Sequence, residues 1–192
     1  MFRIIMLFIG VWSFVAIVGE IQAGKSAKSR KYTITTRNVQ ASKLSREQCL
    51  MRIRATGLNK DLRGVKLNNA NLSNARLISA DLSEADLRKT MLMNAVMCRA
   101  DLTRANMKGA VLYGADLNSA RLVNADLTGA DLTGANLSNA DLTGANLTKA
   151  ILKSVNLTGA KLKGAVITGM VTNDTVFSGT IMPDGSIHPP AF

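Results

Sequence analysis

From Asp61 to about Gly169 the chain repeats every five residues, and few architectures can satisfy such a repeat. A central apolar residue recurs from Leu62 to Ile167 at 22 successive positions, 19 of them Leu and the others Met97, Met107 and Ile167. Two residues before each stands a small residue, Ala in 18 of 22 cases; the exceptions are Lys60, Val65, Thr90 and Val155. On an α-helix five residues rotate by about 500°, so the Leu positions would wind around the rod and leave no apolar face. On a flat strand five is odd, so successive Leu residues would point to opposite faces. Within one repeat, however, Ala and Leu stand two apart and share a face in extended chain. The next Ala follows three residues later. The chain must therefore turn between repeats, always in one sense, if every Ala and Leu is to face one interior. Repeated turning gives a coil, and stacked coils give a solenoid.

Composition agrees with a narrow interior. Aromatic residues make up only 4% of the chain, as expected where Leu and Ala fit and rings do not. Each buried Leu contributes on the order of 2 kcal/mol, so the core is continuous but is a thin column. Gly109, Gly129, Gly134, Gly144 and Gly159 occupy the last position of their repeats and fit tight corners, where Gly relieves steric strain.

The run A-D-L-T-G-A-D-L-T-G-A-N-L-S-N-A-D-L-T-G-A-N-L, in the register A-[DN]-L-x-x, resembles the pentapeptide repeat family over about two thirds of the chain. The resemblance implies an all-β solenoid: a right-handed, four-sided parallel β-helix with one pentapeptide per side and twenty residues per coil. Leu62 to Ile167 would then make about five and a half coils. With Thr172, Phe177 and Met182 the count reaches roughly six, and the rod is about 29 Å long at ~4.8 Å per coil.

The flanks differ in kind. Residues 1–23 read as a signal peptide: Arg3 supplies a positive start, Ile4 to Val18 an apolar run, and Ala23 a small residue before a cut at Gly24. The alternative is an uncleaved inner-membrane anchor over residues 4–23, shortened by Glu20 and followed by the charges Lys25, Lys28, Arg30 and Lys31. Residues 24–44 read as a basic flexible linker. Ser45-Arg46-Glu47-Gln48 has the form of a capping box, opening a short N-terminal capping helix over 45–56. Such a helix would cover the first coil of a β-helix spanning 57–182. Pro183-Asp184-Gly185 is expected to turn the chain out into a tail over 183–192.

The net charge is +11, and most of the excess lies before the repeats: residues 24–56 carry nine Lys or Arg and one Glu. Lys25, Lys28, Arg30, Lys31 and Arg37 are candidate contacts to an anionic surface, lipid or lipopolysaccharide. A solvated linker explains the same residues. Nucleic acid is a poor fit, because no aromatic residues are interleaved and Tyr32 stands alone. Some members of the resembled family protect DNA gyrase by presenting an acidic, DNA-like rod. Asp61, Asp81, Asp101 and Asp141 would share one side here, but Arg121 interrupts them and the rod is not acidic overall.

One side breaks the polar pattern. If each side takes one repeat, as the resemblance implies, residues twenty apart stack, and the outward slots before the central residue fall at Asn71, Met91, Val111, Asp131, Ile151 and Val171. The slots after it fall at Ser73, Met93, Tyr113, Thr133, Lys153 and Asn173. Met91, Met93, Val111, Tyr113 and Ile151 form a candidate partner or dimer surface, with Val96 and Ile78 around the next corner. Scattered surface hydrophobes are also ordinary, and repeat drift would leave the same residues.

No catalytic residues are assigned. His188 is the only histidine, which excludes a His-based acid–base pair or a multi-His metal site. The carboxylates lie in repeat slots and read as surface solubilisers, and every repeat Gly belongs to a corner rather than a phosphate loop. No metal or cofactor is expected. Cys49 and Cys98 are the two cysteines; one sits in the expected helix and the other points outward in the second coil, so pairing stays open. The expectation is a non-enzymatic scaffold of the cell envelope, periplasmic or secreted, that contacts another protein or a second copy. Binding to an anionic membrane surface is the alternative, and gyrase-type mimicry is the remotest reading.

Overall fold

A computed structural model of the chain describes residue 50 and residues 61–189. The expected signal peptide, the basic linker with its five candidate contacts, and all of the 45–56 helix except Leu50 lie outside the described residues. Leu50 is helical and half-buried, and packs against the core.

The five-residue register closes into a coil of twenty. Parallel bridges join each outward residue to its counterpart one coil on, from Asp61–Asp81 to Lys161–Ile181. Four columns result, one per side, and residues 61–180 make six coils. The first side carries Asp61, Asp81, Asp101, Arg121, Asp141 and Lys161. The second carries Lys66, Asp86, Asn106, Asp126, Asn146 and Val166. The third carries Asn71, Met91, Val111, Asp131, Ile151 and Val171, and the fourth Arg76, Val96, Asp116, Asn136, Asn156 and Val176.

Backbone pairing accounts for four of the five N–H groups in a repeat. The central residue and the last residue donate to the next coil, as in Leu92 to Val111 O at 2.7 Å and Asn94 to Tyr113 O at 2.8 Å. The outward residue donates to the preceding coil, as in Asp86 to Val65 O at 2.8 Å. The small residue closes the corner onto the preceding Leu, as in Ala70 to Leu67 O at 3.0 Å. Every corner from Gly64 to Gly179 has a positive φ at the last repeat position. One left-handed residue in the third place is the signature of a type II turn. Gly suits that place, but Glu84, Lys89 and Arg104 adopt it too, at φ 59, 54 and 57. The inter-coil hydrogen bond made by that same residue holds them there.

Inside, the Leu and Ala positions of the middle coils are fully buried, and Met97 and Met107 are buried with them. Thr90, where Ala is the norm, is buried as well and its hydroxyl donates to Leu67 O at 2.8 Å. At the far end, Ile167, Met170 and Phe177 are only half-buried.

The turn at Pro183-Asp184-Gly185 falls where the sequence places it, but the chain then doubles back instead of leaving as a tail. Ile181 bridges Ile187 in antiparallel sense, and Met182 donates to Ser186 O at 2.7 Å. Asp184 fixes the reversal by accepting from the N–H and the hydroxyl of Ser186 at 2.9 and 2.6 Å. The returning segment lays the His188 ring 5.6 Å from that of Phe177.

Candidate interaction surface

The fifth N–H of the repeat, on the residue after the central Leu, has no backbone partner. It is met by the side chain two residues earlier. All thirteen outward Asp and Asn residues from Asp61 to Asn156 accept from that N–H, at 2.9 to 3.3 Å. Where a Ser or Thr follows the Leu, its hydroxyl often donates to the same oxygen, as at Ser83, Thr128, Thr133, Thr143 and Thr148, each at 2.6 Å. The outward carboxylates are thus part of the backbone hydrogen bonding as well as solubilisers. The pairing of Asp or Asn with Ser or Thr across the Leu was the signal for this in the sequence.

This contact is missing where the outward slot is basic, as at Lys66, Arg76 and Arg121, and where it is apolar. Met91 and Val111 bridge directly on the third side, with Met93 and Tyr113 beside them. Met91 is 42% exposed and Tyr113 50%, while Met93 and Val111 are half-buried. Among the described residues, the N–H groups of Met93 and Tyr113 have no hydrogen-bond acceptor. The column then meets Asp131, so Ile151 is separated from the Met91–Val111 pair by one polar coil. Around the corner, Val96 and the 46%-exposed Ile78 flank Cys98, whose thiol donates to Asp116 Oδ2 at 2.9 Å. Burial and that carboxylate push the Cys98 thiol up from its ordinary value, which makes it a poor nucleophile. Cys98 is unpaired, and Cys49 lies outside the described residues.

The acidic column of the first side is neutralised in place. Arg63 pairs with Asp81 at 2.8 Å and Arg121 approaches Asp101 at 3.9 Å, while Lys161 stacks on Asp141. Partial burial acts to raise the carboxyl groups of Asp81, Asp126 and Asp141. Hydrogen bonds from Ser83, Thr128 and Thr143, with nearby cations, outweigh it and hold all three below the usual carboxylate range. Asp86 is held low chiefly by its hydrogen bond from Arg88. Among the described residues no group of three or more His, Cys, Asp or Glu could hold a metal ion.

Residues 61–92, 92–129 and 130–169 match the family model for pentapeptide repeats, in 8 copies. No curated protein matches. Among solved structures, the pentapeptide repeat protein Rfr23 from the cyanobacterium Cyanothece 51142 is 32% identical over 48% of this chain, with a TM-score of 0.47. The match spans 63% of Rfr23's own length. HetL, a pentapeptide repeat protein involved in heterocyst differentiation regulation from Nostoc sp. strain PCC 7120, is 35% identical, with 68% of this chain and 74% of HetL covered and a TM-score of 0.36. QnrB1, a plasmid-mediated fluoroquinolone resistance protein, is 20% identical, with 65% and 69% covered and a TM-score of 0.42.

Proposed function

The chain belongs to the pentapeptide repeat family of right-handed β-helices, and on that premise we propose that it is a non-enzymatic scaffold whose third side docks another protein. One observation carries the reading. Met91, Met93, Val111 and Tyr113 stack in adjacent coils on the third side, between the polar slots at Asn71 and Asp131. Clustered apolar area on a rigid frame is where partners bind, and aromatic and Met side chains are the usual anchors. The two strands beneath the cluster are held by the coil-to-coil bonds at Leu92 and Asn94, so the side chains sit on a fixed base.

Location in the envelope forms part of the same proposal. It is supported by the Arg3 start, the apolar run from Ile4 to Val18 and the small residue Ala23. Gyrase-type mimicry is not supported: the first side, the most acidic column among the described residues, is interrupted by Arg121 and Lys161 and carries the Arg63–Asp81 ion pair.

Replacing Met93 and Tyr113 together by Asp tests the docking side. Both positions are outward, so the fold is expected to survive, while a partner co-purifying from fractionated cells is lost. Unchanged size and unchanged partners in size-exclusion chromatography would reject this side as the contact.

A further inference from the structure

We propose that the third-side patch takes an extended peptide segment of a partner protein, with an acidic residue beside an apolar one. This rests on the docking reading above and adds the partner's chemistry. In thirteen repeats an outward Asp or Asn oxygen meets the N–H two residues on, so that N–H projects onto the outer face. At Met91 and Val111 the oxygen is gone, and the N–H groups of Met93 and Tyr113 lie open among apolar side chains. A purely apolar partner would leave two donors unmet. A partner carboxylate or carbonyl replaces what the repeat lacks, while its apolar neighbour covers Met91 and Val111. Extended chain suits the site, because it presents carbonyl oxygens and side chains in alternation along one face.

Charge gives the segment a direction. Lys89, at the corner leading into Met91, and Arg76, bridged to Val96, are exposed and have no ion pair among the described residues. Lys89 borders the patch in the coil of Met91 itself, and Arg76 lies one coil earlier on the neighbouring side. Asp131, one coil beyond Val111, has its Oδ1 taken by Thr133, and Asp116, in Val111's coil on the fourth side, has both oxygens taken by Cys98, Asn118 and Asn136. The partner's acidic residue therefore lies toward Lys89.

A random-peptide library displayed on phage, selected on the full chain, tests this with two double variants. M91A/V111A removes apolar area and leaves both N–H groups open. M91N/V111N removes the same area and returns the family's own acceptor; Asn71, Asn136 and Asn146 show that the slot accepts it. Thermal melts check that both variants fold. The expected selection is of peptides with Asp or Glu beside a β-branched or aromatic residue. Their binding falls severalfold in the Ala variant and by about a further tenfold in the Asn variant, the weight of a lost hydrogen bond. Equal losses in the two variants overturn the acceptor argument and leave the docking reading standing. Peptides insensitive to both variants, or no enrichment at all, overturn both. Enrichment of basic peptides overturns the assigned chemistry, and concentration-dependent self-association lost in the Ala variant makes a second copy the occupant instead.

Discussion

An Asp or Asn before the central Leu gives its backbone a partner and gives the surface its charge. The neutral and charged forms meet the N–H at the same distance: Asn136 to Ser138 and Asp141 to Thr143 are both 3.1 Å. They differ in acid. Asp81, Asp86, Asp126 and Asp141 have folded pKa values below the unfolded value of about 3.9. A depressed folded pKa contributes stability above the unfolded value, and that contribution is lost as pH falls through the folded value. The melting temperature should therefore stay level from neutral pH to about 5 and drop below about 4. In D81N/D126N/D141N the neutral melting temperature should change little, since Asn keeps the acceptor and the ion pairs removed are exposed. The acid drop should be shallower in that variant, and an undiminished drop would show that other groups set the acid limit.

At the scale of one coil, stability comes from a filled column with every inward carbonyl paired. Leu112 is fully buried, so Leu112→Ala should cost about 2–5 kcal/mol in urea unfolding. Thr90 gives the contrasting case. Its hydroxyl bonds Leu67 O, but that carbonyl also accepts from Ala70 N–H at 3.0 Å. Thr90→Val strands no acceptor and should cost no more than about 1 kcal/mol. The inward residues were legible in the sequence because they follow from spacing, and the four sides because the repeat resembles a family that places one pentapeptide on each side. With one repeat on each side, the register stacks Met91 on Val111. The role of the outward Asp and Asn was not legible from spacing, because it depends on where the corner aims one N–H. Nor was the left-handed backbone at Lys89 and Glu84, which local preference disfavours and the inter-coil bond enforces. The reversal after Met182 depends on Asp184 capturing Ser186, a contact that Pro-Asp-Gly permits without requiring.

Across the six coils, the ladder of hydrogen bonds is complete in the middle and open at the C-terminal end. Among the described residues, the N–H groups of Ile167, Gly169, Thr172, Asp174 and Phe177 lack the next-coil partner that their counterparts have. The returning segment pairs only Gly179, Thr180 and Met182. In a stacked-repeat protein each coil is stabilised by its neighbours, so opening should begin at this end and reach coils three to five last. Residue-resolved hydrogen exchange should then show Leu112, Leu117 and Leu132 among the slowest amides and the five open ones among the fastest. The third side adds a sharper expectation. The amides of Met93 and Tyr113 belong to well-bonded coils, yet no acceptor protects them among the described residues. Thr133, one coil further along the same column, is protected by Asp131 at 3.0 Å. Met93 and Tyr113 should exchange at rates near those of open chain while Leu92, Leu112 and Thr133 remain slow. M91N/V111N should slow Met93 and Tyr113 and leave the rest unchanged. If both amides are already slow in the unaltered chain, their N–H groups are not free to meet a partner, and the proposed acidic segment has nothing to bond.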